Sequence, residues 1–137
     1  GSTASQTRTN YITIFLADPV PAFNITDAIS GGNVITSANT GQAVYLQNNT
    51  ANIPNTAITA TFSVNWGDGT SIEGIDGKTE NGGPQGGRLE HTYTNASGTG
   101  RHTITLAANT FSAGDPSVLP LTATALIKVF DASLNEY

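Results

Sequence analysis

Thr61-Phe62-Ser63-Val64-Asn65-Trp66-Gly67-Asp68-Gly69-Thr70 writes a strand, a reversal and the start of a return strand within ten residues. Extended upstream, Ile58, Ala60, Phe62, Val64 and Trp66 alternate with Thr59, Thr61, Ser63 and Asn65. A period of two sends one set of side chains to each face of a sheet, so the apolar set faces a core and the polar set faces out. Gly67-Asp68-Gly69 supplies the hairpin. Glycine takes positive φ without a Cβ clash, and an aspartate carboxylate accepts backbone N–H groups two residues on.

Working outward, further strands are predicted at 22–28, continued by 33–37, and at 43–47, 58–66, 70–75, 88–94, 101–109 and 122–130. No segment sustains an apolar period of 3.6, so no helix of consequence is expected. Short strands separated by turn signals predict an all-β chain folded as a two-sheet sandwich of about seven strands. Its predicted core is Ile58, Phe62, Val64, Trp66, Tyr93, Ile104, Leu106, Ile127 and Val129. Leu126 and Phe130 fall on the opposite face of the last strand, where they offer a seam to an adjacent domain or cover for a loop. Three connections, 48–57, 76–87 and 110–121, exceed what a hairpin needs, and strand direction gathers them at one pole. Asn49, Ile53, Asp76, Glu80, Phe111 and Asp115 are their candidate contact residues.

Composition narrows the function. Only 11% of the 137 residues are charged, the net charge is −5 and the pI is near 4.6. Five scattered basic residues form no stripe for nucleic acid. The chain has no cysteine, hence no disulfide scaffold and no thiolate metal site. No apolar run approaches the roughly 18 residues of a membrane span. The first 18 residues read as a tag remnant beginning Gly1-Ser2, a linker, and a strand at Tyr11–Leu16. That strand is either the last of a preceding repeat or an ordinary first strand. Residues 19–137 form the domain.

Each residue with chemistry has a plainer role. Trp66 lies on the alternating face, which favours core packing over a sugar-stacking ring. The flanking glycines of Asp68 favour backbone capping over a nucleophile or a metal ligand. Tyr93 is read as a tyrosine corner whose hydroxyl bonds back to the backbone, rather than as a proton donor. His91 and His102 have no acidic partner at metal-ligand spacing and are expected to be structural or solvent-facing. Glu73, Asp76, Glu80 and Asp115 leave structural calcium as a minor alternative to solvated acidic loops. No other cofactor is implied. Asn24, Asn48 and Asn95 head glycosylation sequons, a number that this Asn, Ser and Thr content yields by chance.

The order strand, Trp-Gly-Asp-Gly (Trp66–Gly69), His-x-Tyr (His91, Tyr93), then Gly-x-x-x-Ile-x-Leu (Gly100–Leu106) resembles the PKD domain, an immunoglobulin-like β-sandwich. The resemblance spans about 21–131. It departs where Val64 stands in the family's tryptophan position and in the long 76–87 and 110–121 connections. Val-Asn-Trp-Gly-Asp-Gly-Thr, Ser-Gly-Thr-Gly-Arg and the closing Ile-Lys-Val-Phe-Asp look most like tandem modules in structural proteins of marine bacteriophages, cyanophages in particular. The resemblance implies a non-catalytic structural or interaction module of a virion protein, contacting other domains or subunits of its assembly. The alternative is an adhesive or glycan-binding accessory domain of a bacterial surface protein or secreted hydrolase, with extracellular or cell-surface placement. Neither reading involves nucleic acid or membrane insertion.

Overall fold

The computed structural model describes residues 20–51, 60–76, 83, 87–111 and 121–132. Among them are eight strands: β1 Phe23–Thr26, β2 Ser37–Asn39, β3 Ala43–Asn48, β4 Ala60–Asn65, β5 Ser71–Asp76, β6 Leu89–Thr92, β7 His102–Phe111 and β8 Leu121–Phe130. They form two sheets, one of three strands in the order β1-β3-β6 and one of five in the order β2-β8-β7-β4-β5. All pairings are antiparallel except β2 with β8. The chain is an all-β domain with two sheets.

The alternation of the central strand holds. Phe62, Val64 and Trp66 are buried, as are Val44 and Leu46 on β3, Ile104, Leu106 and Ala108 on β7, and Ile127 and Val129 on β8. With Ile25, Ala38, Ile75 and Tyr93 they make one cluster drawn from both sheets. Complete burial of a large apolar side chain contributes about 1.5–3 kcal/mol, so this shared interior is what joins the sheets. Every predicted core residue among those described lies in it; Ile58 falls outside the described residues. Leu126 and Phe130 are about half exposed on the outer face of β8, as their parity requires.

Two expectations need correction. The described residues hold eight strands rather than about seven, because 33–37 does not continue β1. After the turn at Gly31 and Gly32, both at positive φ, the chain folds back on β1 through the Thr26–Val34 bridge and the Ile35 N–H bond to Ile25 O. It then crosses to the other sheet, where β2 runs parallel to β8.

The exposed edge at β5 is managed locally. Ser71, Ile72, Glu73 and Gly74 all face solvent, the register with β4 shifts between Phe62 and Val64, and Gly74 sits at positive φ. A charged, bulged edge is a poor template for pairing with another chain.

Strand direction defines two poles. The hairpin pole carries the β4–β5 turn, the end of β6 and the end of β8. The opposite pole carries the β4–β7 pair Ala60–Phe111, the β4–β5 pair Thr61–Asp76 and the start of β8 against Ala108. Asp76 and Phe111 therefore end their strands at the same pole. Ile53, Glu80, Asp115 and most of the three long connections lie outside the described residues.

Candidate functional site

Of the residues singled out by sequence, Trp66, Gly67, Asp68, Gly69, His91 and Tyr93 meet at the hairpin pole. The turn is built as its composition demands: Trp66 N–H donates to Thr70 O (3.0 Å), and Gly67 N–H donates to Asn65 Oδ1 (2.8 Å). Asp68 Oδ1 accepts from the Thr70 N–H (3.0 Å) and the Thr70 hydroxyl (2.5 Å). Gly67 and Gly69 both have positive φ, 84° and 95°, but for different reasons. A Cβ on Gly67 would meet the Thr103 carbonyl oxygen at 2.4 Å, whereas one on Gly69 would meet nothing. Gly67 thus serves both the turn and a close approach of the turn to β7.

The second carboxylate oxygen leaves the turn for the other sheet. Asp68 Oδ2 lies 2.8 Å from Nε2 of His91, on β6, with both side chains largely buried. A carboxylate only accepts, so Nε2 carries the proton. The His91 ring stacks on Trp66 with centroids 4.5 Å apart and an interplanar angle of 8°. It meets Tyr93 edge-on at 4.6 Å, and Tyr93 in turn stacks on His102 at 4.8 Å. The His102 Nε2 faces the Asn95 carbonyl at 3.3 Å, which makes this nitrogen a donor as well.

Tyr93 is fully buried, and its hydroxyl donates to Trp66 O at 2.7 Å. The expectation of a backbone-bonded tyrosine is met, but a tyrosine corner at a strand start is not. Tyr93 stands just past the end of β6, and its acceptor lies 27 residues away beyond β4. The bond ties one sheet to the other instead of closing a local corner. His91 takes the structural role expected of it, but through an acidic partner that the sequence did not point to. Asp68 lies 23 residues upstream, and no short-range spacing rule reaches that far.

Electrostatics follow from this arrangement. Burial pushes the Asp68 carboxyl up, but bonds from the Thr70 hydroxyl, His91 and the Thr70 N–H, with the charge of His91, outweigh it. The net effect holds the carboxyl below its ordinary range. Burial, aided by the negative charge of Asp68, drives the Tyr93 phenol well above its ordinary value. Tyr93 is thereby kept as a neutral hydrogen-bond donor at physiological pH.

What the group does chemically is limited by how its atoms are used. Both Asp68 oxygens, the His91 Nε2 and the Tyr93 hydroxyl are engaged with one another or with backbone. Beside them, Ser97 pins the 97–100 turn to β8: its N–H donates to Val129 O (2.9 Å) and its Oγ accepts from Val129 N–H (3.0 Å). The Lys128 ammonium bonds Gly98 O and lies 5.7 Å from the Phe130 ring centroid. The pole is a clasp in which two sheets, a hairpin and a turn are fastened together.

Of the contact residues proposed for the long connections, Asn49 is exposed, and its N–H donates to Ala22 O. Glu73 is exposed on β5. Among the described residues no group of three or more His, Asp or Glu side chains is placed to hold a metal ion. No family model, curated protein or solved structure matches this chain.

Proposed function

We propose that this chain is a non-catalytic, immunoglobulin-like module of PKD type that spaces and stiffens a larger assembly, and that the assembly is a bacteriophage virion. The strand arrangement supports the fold reading. Reading β1, β3, β4, β5, β6, β7 and β8 as strands A, B, C, C′, E, F and G turns the order β1-β3-β6 into A-B-E and the order β8-β7-β4-β5 into G-F-C-C′, which is consistent with an immunoglobulin-like sandwich. The motif resemblance supports the family, and β2 is the strand that the simple seven-strand scheme omits.

One observation carries the functional reading. The side chains with acid–base chemistry at the best-built polar cluster are spent on holding the fold: Asp68 on Thr70 and His91, Tyr93 on Trp66 O. Catalytic groups need an acceptor or donor left over for a substrate. A clasp needs none. Phe130 is the one aromatic among the exposed large apolar side chains of the described residues, so they present no flat aromatic platform for a sugar.

Immunogold labelling with an antibody raised against this domain tests the proposal. Gold on purified phage particles is the expected outcome. Label confined to bacterial surfaces or to a secreted hydrolase would reject the virion placement and favour an accessory role.

A further inference from the structure

Away from the clasp, at the other pole, lies a polar hollow of about 180 Å³ lined in part by Arg88, Gln47, Asn49, Ser30 and Gly87. At about 30 Å³ per water in the liquid, it holds roughly six waters. That is room for the head of a side chain or a chain terminus, well below the ~300 Å³ at which sites for drug-sized ligands begin.

Arg88 precedes β6, yet its guanidinium reaches past β3 to the end of β1. There Nη1 donates to Thr26 Oγ1 (2.8 Å), Ala28 O (2.7 Å) and Gly31 O (2.8 Å). Nη1 has two hydrogens, so three acceptors saturate it and fix the plane of the group. The remaining three N–H groups, on Nε and Nη2, donate to no atom of the described residues. No carboxylate pairs with Arg88 among those residues, where the ion pair is His91–Asp68. Asp27, on the same turn as Ala28 and Gly31, has Oδ1 engaged by the Asn33 N–H at 2.8 Å.

A guanidinium held by neutral oxygens keeps its whole charge, and its Nε–H and Nη2–H form a parallel fork that matches a carboxylate bidentately. The fork is pre-organised, which lowers the entropic cost of engaging an anion. The neighbouring amides of Gln47 and Asn49 add donors of the same use, and Gly87 lets an incoming group approach the backbone. Among the lining residues only Ile29 carries a sizeable apolar side chain, and no ring is present to stack a sugar face.

We propose that this hollow binds a carboxylate, supplied by an acidic side chain or chain terminus of a neighbouring protein. The proposal stands apart from the clasp and from the virion reading, since it concerns other residues at the opposite pole.

NMR of the intact chain, observing the Arg88 Nε–H and the side-chain amides of Gln47 and Asn49, tests it by titration. The probes are the peptide acetyl-Gly-Glu-Gly-amide, its neutral match acetyl-Gly-Gln-Gly-amide, and glucuronate. Saturable shifts of these resonances with the Glu peptide and none with the Gln peptide are expected. Asn49→Asp sets a competing carboxylate at the hollow while leaving the three scaffold bonds of Arg88 in place, and should weaken binding at least tenfold. Arg88→Lys removes the fork and should abolish binding; because it also releases the 27–31 turn, Asn49→Asp carries the test if that variant unfolds. Equal response to both peptides, no saturation, or unchanged affinity in Asn49→Asp would overturn the site. Tighter binding of glucuronate than of the Glu peptide would overturn a protein as the source of the carboxylate.

Discussion

The two poles of this domain are held by different chemistry. At the hairpin pole an aromatic ladder, Trp66, His91, Tyr93 and His102, is interlocked with an aspartate and a tyrosine hydroxyl that both cross between sheets. Along β8 burial fades toward the other pole. Ile127 and Val129 are buried at the hairpin end of β8, while no residue from Leu121 to Leu126 is. Order there rests on a long-range polar pin, Arg88 to the 26–31 turn, and on a local one, Asn48 Oδ1 accepting the Thr50 N–H (3.0 Å) and hydroxyl (2.6 Å). One pole spends its polar groups on itself. The other leaves a cation facing a hollow, which is why the clasp reads as structure and the hollow as a contact.

The comparison breaks most severely at Trp66. Trp66→Ala removes a buried ring and the stacking partner of His91, and should cost on the order of 3–5 kcal/mol in urea unfolding. A near-unchanged midpoint would mean that the aromatic ladder carries no weight. The glycines sharpen the point. Gly69→Ala meets open space and should cost about 1–2 kcal/mol for its positive φ alone. Gly67→Ala adds a clash with the Thr103 backbone and should cost distinctly more. Equal midpoints for the two variants would show that the hairpin does not press on β7.

Tyr93→Phe keeps the ring but strands the Trp66 carbonyl, and should cost about 1–3 kcal/mol. At the bottom of the scale, Leu126→Thr on the outer face of β8 should change stability by no more than about 0.5 kcal/mol. A larger loss would show that this face is covered rather than open.

Legibility in the sequence followed distance along the chain. Phe62, Val64, Trp66, Ile104 and Leu106 were placed correctly because a period of two is a local property. The bond from Asp68 to Thr70 was readable for the same reason, lying two residues away. The crossing of β2 was not: Ser37-Ala38-Asn39 has one buried side chain and too few residues to show alternation. Nor was the partner of His91, since which turn atom meets which strand residue depends on how the two sheets stack. Arg88 eluded the sequence altogether, because its acceptors lie 57 to 62 residues upstream.

Stability against pH probes the same clasp. Asp68 has a depressed native pKa, so its contribution is fully present above the unfolded value near 3.9. It is lost as pH falls through the lower folded value, because the unfolded chain then binds the proton first. Asp68→Asn should therefore lose less stability than the parent on acidification from pH 5 to about 2.

The central claim, that Asp68 and His91 act together to fasten the hairpin to the other sheet, is tested most directly by a double-mutant cycle. Asp68→Asn, His91→Gln and the double variant would be unfolded in urea at neutral pH. A coupling of more than about 0.5 kcal/mol is predicted, with the double variant little worse than either single one. Losses that simply add would contradict the account, leaving the 2.8 Å contact without energetic consequence.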